Sequence, residues 1–369
     1  MKIAIDNPIR NISPNIASHR SSWAYLWREM LLEDGHECRV LHDAEDWDDG
    51  YDQILVYWGL EFNGSPNMFD GLSPVVFDRM DRFVQNRERM RYVSLEHQIK
   101  DLFLRRMRVR IGNKTTDERA TKEWIETLFG VFSNLETTDQ HDLKPRRSLV
   151  IGDSHTISVW RPGSYIKRMD GKTLRGLSKT LLEDAAEFTS RYPLDFVTIY
   201  AGNIDIRHHL FRHHDGFSGP EDYLEDTLGK FVDKVRALRI PQVELVHALP
   251  IEHESRHLRQ SVCLEGSPFT GSWEDRTRIM HHFNRRIDEI AAAEGWSVYR
   301  WPQEWYERTE QDPKWFFNVM EKPYSVHLSR EFYRWKTTYQ DPPRSSKKKY
   351  PKRAGDPAPK QSMVEDIWE

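Results

Sequence analysis

Residues 148–160, SLVIGDSHTISVW, join two patterns that do not belong to one element. Residues 148–151 form a short apolar run of the kind buried on both faces of a parallel sheet. Gly152-Asp153-Ser154-His155 then interrupts it with a glycine and three polar side chains. A parallel strand that ends this way delivers a serine hydroxyl to the carboxyl edge of its sheet, where ligands sit in open α/β folds. The glycine permits a tight turn, and a helix starting just beyond offers unpaired backbone N–H groups to an anion.

Outward from this stretch, helix-period and strand-like segments alternate. Downstream, TLRGLSKTLLEDAAEFTSRY (173–192) reads as a helix and DFVTIYAGN (195–203) as a strand ending on Gly202-Asn203. The helix YLEDTLGKFVDKVRAL (223–238), the strand QVELVHAL (242–249), the helix at 275–296 and the short strand SVYRW (297–301) follow. Upstream, MKIAID, CRVLH, DQILVYWG and MRYVSL read as strands. Between the first two lies a helix with Trp23, Leu26, Trp27, Met30 and Leu31 on one stripe and Gly35 as its stop. Residues 75–88 and 117–134 read as further helices. This alternation predicts an α/β fold of two Rossmann-like or flavodoxin-like three-layer units with parallel sheets.

The units are expected over residues 1–140 and 147–338, joined by the polar, proline-containing linker TTDQHDLKPRRS. Residues 340–369 are proline- and lysine-rich with few large apolar side chains, and are expected to be a disordered tail. Its cluster Lys347, Lys348, Lys349, Lys352 and Arg353 is suited to weak contact with nucleic-acid phosphates, although a solvated tail is the plainer reading.

Composition narrows the function classes. The chain has 369 residues, 38% hydrophobic and 30% charged, with a formal net charge of −4 that gives no global pull toward nucleic acid or membrane. No window nears the ~18 apolar residues of a spanning helix, and no secretory signal opens the chain. Cys38 and Cys263 fit no metal or disulfide pattern, so a reducing, cytoplasmic location is expected. The 13 tryptophans are read mainly as core.

Other candidates for chemistry lie in order along the second unit. Gly171 sits in a turn before a helix, where a backbone N–H can be presented, with Gly176 as a competitor. Asn203 ends a strand at the same sheet edge, and His327 lies in YSVHLS near the unit's end. In this order the chain resembles the SGNH (GDSL-type) hydrolase superfamily over about residues 147–337, through Gly152-Asp153-Ser154, Gly171, Gly202-Asn203 and His327. The resemblance implies an esterase or acyltransferase that needs no cofactor and acts on a small-molecule or glycan ester. Ser154 would be the nucleophile and His327 its base, with Ser154, Gly171 and Asn203 binding the oxyanion. The family's aspartate, three residues before the histidine, falls here on Tyr324, which implies a Ser–His dyad or a unit that no longer hydrolyses.

Asp153 is expected to shape the turn, and His155 to line the pocket or cap the turn. Asp205, Arg207 and His208 follow the oxyanion asparagine and are candidates for lining the substrate cleft. Arg207 suits a carboxylate or phosphate held in bidentate fashion, or a buried network with Asp205. His208, His209, His213 and His214 with two aspartates invite a metal, but adjacent helical histidines point about 100° apart, and no metal site is expected. His253 and His257 share a four-residue spacing without an obvious third ligand. The first unit loosely resembles the Rossmann-like half of two-domain glycosyltransferases. That leaves open a nucleotide-sugar or base-modifying transferase, or a ligand-binding module.

Overall fold

The computed structural model describes residues 1–7, 18–42, 46–56, 82–94, 130, 134–140, 142–169, 171–212, 216–256, 269–320 and 326–335. Two five-stranded sheets organise them, and every strand pair in both is parallel. The first sheet contains β1 (Lys2–Asp6), β2 (Glu37–Leu41), β3 (Gln53–Val56), β4 (Met90–Ser94) and β5 (Glu136–Asp139), in the order β2-β1-β3-β4-β5. Helix α1 (Ser18–Glu33) links β1 to β2 and buries Leu26, Trp27, Met30 and Leu31, four of the five residues of the stripe read from the sequence.

The second sheet contains β6 (Ser148–Gly152), β7 (Ser164–Arg168), β8 (Phe196–Tyr200), β9 (Gln242–Val246) and β10 (Ser297–Tyr299), in the order β10-β9-β8-β6-β7. In chain order both sheets are the flavodoxin-like 2-1-3-4-5 arrangement, which reverses direction between its first and third strands. In the second sheet that switch point lies between the carboxyl ends of β6 and β8. Leu149, Val150 and Ile151 of β6 are all buried, as a strand covered on both faces requires.

The short helix α2 (Thr156–Val159) follows β6. Helices α3 (Leu174–Thr189), α4 (Pro220–Ala237) and α5 (Trp273–Glu294) pack side by side, and α6 (Gln303–Gln311) comes after β10. Thr173 caps α3 by accepting from the Gly176 N–H, and Ser272 and Asp275 form a reciprocal capping box at the start of α5. Glu244 of β9 lies buried beneath Arg161 and Arg334 and accepts from the Thr198 hydroxyl. Arg334 also ties the chain's described end to α2 through its backbone bond to the Ser158 carbonyl.

Two strands differ from the sequence reading. Glu136–Asp139 is strand β5, although most of it was expected to be linker. Ser164–Arg168 is strand β7, although no strand was expected there. Both lie at the edges of their sheets, where little apolar sequence is needed. The residue after β5, Gln140, pairs its buried carboxamide with the Ile166 backbone: Nε2 donates to the carbonyl at 2.8 Å and Oε1 accepts from the N–H at 2.9 Å. The side chain thereby satisfies part of the open edge of β7. Arg146 adds a second tie, donating to the Met30 carbonyl and to Asp34 beyond α1.

Candidate active site

The site is built where β6 and β8 end side by side. Gly152 has φ +155°, and a Cβ there would lie 1.9 Å from the Tyr200 carbonyl oxygen, so only glycine lets the two strand ends approach. Gly202, with φ +108°, lies so close to the Phe283 ring that an added Cβ would meet it at 2.7 Å. Beyond Gly152 the Asp153 N–H donates to the Tyr200 carbonyl, which extends the pairing by one residue. The Thr156 N–H then donates to the Asp153 carbonyl and closes the turn that holds Ser154.

Asp153 is fully buried. Its Oδ1 accepts from the His155 N–H at 2.8 Å and lies 3.1 Å from His155 Nδ1. The carboxylate therefore braces the turn. His155 is buried at the start of α2 and reaches the Val326 carbonyl through Nε2 at 2.9 Å.

Ser154 Oγ lies 2.7 Å from His327 Nε2, a contact between residues 173 positions apart. With the imidazole hydrogen on Nδ1, the serine hydroxyl donates to Nε2, the geometry needed for proton removal. Ser154 is 7% exposed and His327 is half-buried. Asn203 is fully buried; its Oδ1 accepts from the Leu249 N–H at 3.0 Å, and its Nδ2 has no hydrogen-bond partner. Such a donor is costly to bury unless something occupies it. Nearby, burial and then the charge of Asp153 push the Tyr200 phenol well above its usual range.

Gly171 lies in the turn closed by the Lys172 N–H on the Met169 carbonyl, and the Met169 N–H donates to the Gly152 carbonyl. With φ +76° it suits the third position of such a turn, and that turn is fastened to the end of β6. Gly176, the competing glycine, has its N–H committed to capping α3.

Asp205 and Arg207 were expected either to line a substrate cleft or to form a buried network with each other. They fall in a π-helical turn, Asp205–His209, and both are buried. Asp205 accepts from the Leu174 N–H at 2.6 Å, which fastens the start of α3. Burial pushes its carboxyl up to about 7, although the backbone donors at Leu174 and Arg175 oppose the shift. Arg207 does not pair with Asp205. Its Nε donates to Glu252 at 2.6 Å, and both side chains are 0% exposed. Burial works against the charge on Glu252, but the guanidiniums of Arg207 and Arg256 hold its carboxyl below the usual range. Glu252 was missed in the sequence because it lies 45 residues from Arg207, in a loop without periodicity.

His208 stacks on Phe269 with ring centroids 6.1 Å apart. Tyr324, His213, His214, His257, Cys263 and the basic tail lie outside the described residues. Among the described residues no group of three or more histidine, cysteine or acidic side chains is arranged to hold a metal, and no helix is long and apolar enough to cross a membrane. Burial pushes the Cys38 thiol up to about 12, which suits a structural role.

No family model matches the chain, and no curated protein matches it. Several solved structures are similar. Esterases of the GDSL kind are among these neighbours. A catalytic mutant of an acetylxylan esterase from Geobacillus stearothermophilus is 15% identical with a TM-score of 0.35, over 52% of this chain and 90% of that one. A GDSL-like lipase from Bacteroides thetaiotaomicron is 18% identical with a TM-score of 0.33, over 51% and 82%. A gut microbial diltiazem-metabolizing enzyme is 11% identical with a TM-score of 0.33; the match spans 47% of this chain and only 41% of that enzyme. Likenesses this slight say nothing of what the chain acts on.

Proposed function

We propose that the chain is a serine esterase or acyltransferase acting on O-acylated substrates, small molecules or glycans among them. The observation that carries this reading is the 2.7 Å contact between Ser154 Oγ and His327 Nε2 at the switch point of a parallel sheet. In the reaction, Ser154 Oγ attacks the acyl carbonyl while His327 Nε2 accepts its proton. The oxyanion is held by the Ser154 and Gly171 N–H groups and by Asn203 Nδ2. His327 then gives the proton to the leaving alkoxide, and a water or acceptor alcohol resolves the acyl-enzyme by the reverse sequence.

Asp153 takes no proton in this scheme; it sets the turn that aims the hydroxyl. The unpaired Asn203 Nδ2 supports the reading, because a buried amide donor is satisfied by a developing negative charge. Turnover of p-nitrophenyl acetate by wild type and Ser154→Ala tests the proposal. The variant is expected to fold and to lose turnover; equal rates would remove Ser154 as nucleophile.

A further inference from the structure

The loop that carries His327 is gripped at a single backbone atom by two buried, neighbouring side chains. His155 Nε2 lies 2.9 Å from the Val326 carbonyl oxygen, and Arg207 Nη2 donates to the same oxygen at 3.3 Å. Each gripping side chain is itself anchored. His155 is held at its backbone N–H by Asp153 Oδ1 at 2.8 Å, and Arg207 by Glu252 Oε2 at its Nε. Asp153, His155, Arg207 and Glu252 are all at most 1% exposed. The His155 ring also packs against the His327 ring, with centroids 4.7 Å apart and planes tilted by 38°.

With the hydrogen on Nε2, His155 donates to the Val326 carbonyl, and Arg207 Nη1, 3.2 Å from that nitrogen, is a close neighbour rather than a donor. Val326 immediately precedes His327, so a shift of this carbonyl moves the imidazole relative to Ser154. A buried ion pair such as Arg207–Glu252 adds little stability over apolar side chains of the same volume, so stability alone explains it poorly. A misplacement of about 1 Å at a reacting group costs about 10²-fold in rate, which gives a positioning role its value.

We propose that His155 and Arg207 are positioning residues: through the Val326 carbonyl, their two buried pairs with Asp153 and Glu252 hold His327 Nε2 in line with Ser154 Oγ. The inference rests on the esterase reading above. Neither side chain touches substrate. The framework acts through the backbone and does not require a carboxylate at position 324.

The test compares His155→Phe, which fills the space without a donor, His155→Gln, whose amide nitrogen replaces Nε2, and Arg207→Lys, which keeps a charge opposite Glu252 but loses the fork. Each is assayed for kcat and KM on p-nitrophenyl acetate, for the rate of fluorophosphonate labelling at Ser154, and for melting temperature. His155→Phe is expected to lower kcat and the labelling rate together by about 10- to 100-fold with KM little changed. His155→Gln should recover kcat to within about threefold of wild type. Arg207→Lys should lose about 10-fold in kcat while staying folded.

A folded His155→Phe with wild-type kcat and labelling would overturn the proposal, as would a Gln variant no better than Phe. Products that fail to fold at both positions would assign the cluster to folding and overturn it as well. Failure of the wild type itself to label would sink the esterase reading. Labelling of wild type and His155→Phe at equal rates would sink only this inference.

Discussion

The two sheets share one strand order, and their first strands, β1 and β6, reach equivalent switch points. They end differently. β6 runs into Gly152-Asp153-Ser154-His155, a turn in which Ser154 and His155 reach His327 and the Val326 carbonyl from a distant segment, while Asp153 braces the turn itself. β1 runs into Asp6 and Asn7, both fully buried. The Asn7 carbonyl accepts from His42 Nδ1 at 2.7 Å, but both polar atoms of the Asn7 carboxamide lie buried without a hydrogen-bond partner. Topology supplies a place at the carboxyl edge; chemistry depends on which side chains the chain delivers there.

The largest effect that would break this contrast comes from the serine and its base. Ser154→Ala or His327→Ala should each lower kcat on an aryl ester by at least about 10⁴-fold, and the double variant should be little worse, because the two act as a unit. Gly152→Ala should be nearly as damaging for another reason. Its methyl would occupy the space of the Tyr200 carbonyl oxygen, and a loss of more than about 4 kcal/mol in urea denaturation is expected. Asn203→Ala should cost about 10²- to 10³-fold in kcat. It should also cost about 1–3 kcal/mol of stability, since the Leu249 N–H loses its acceptor.

Asp205 sharpens the comparison through pH. Its carboxyl is raised in the folded protein to about 7 from an ordinary value near 3.8, so between these limits the folded state binds the proton more tightly. On this group's account stability is greatest at low pH and falls as pH rises from about 4 to about 7, by up to about 4 kcal/mol. The measured quantity is the difference in unfolding free energy between wild type and Asp205→Asn at pH 5 and pH 8. A difference that does not change with pH would contradict the raised value. The smallest effect lies at the other sheet. Asn7→Leu removes two unpaired buried polar atoms at similar volume and should stabilise by about 1 kcal/mol without altering any turnover of the aryl ester. Marked destabilisation would mean that the carboxamide is satisfied after all.

What was legible in the sequence follows the same division. Runs such as SLVI and QILV announce strands buried on both faces, and Gly152, Gly202 and Ser154 could be picked out because glycine and polar residues interrupt such runs for few other reasons; His327 was picked out by its place in the order that resembles the SGNH hydrolases. Edge strands β5 and β7 were hidden: ETTD has no apolar residue, and SYIKR carries two basic residues in five. Arg207 stood out as a charge soon after Asn203, but its partner Glu252 and its grip on the Val326 carbonyl did not. A bond to a backbone atom leaves no residue type to read, and a buried ion pair is announced by neither partner alone.

Labelling by a fluorophosphonate probe, with the adduct located by mass spectrometry, tests the paired serine and histidine most directly. Wild type is expected to carry one adduct on Ser154, with labelling abolished in Ser154→Ala and severely slowed in His327→Ala. An unlabelled wild type, or an adduct that persists when Ser154 is replaced, would contradict the account.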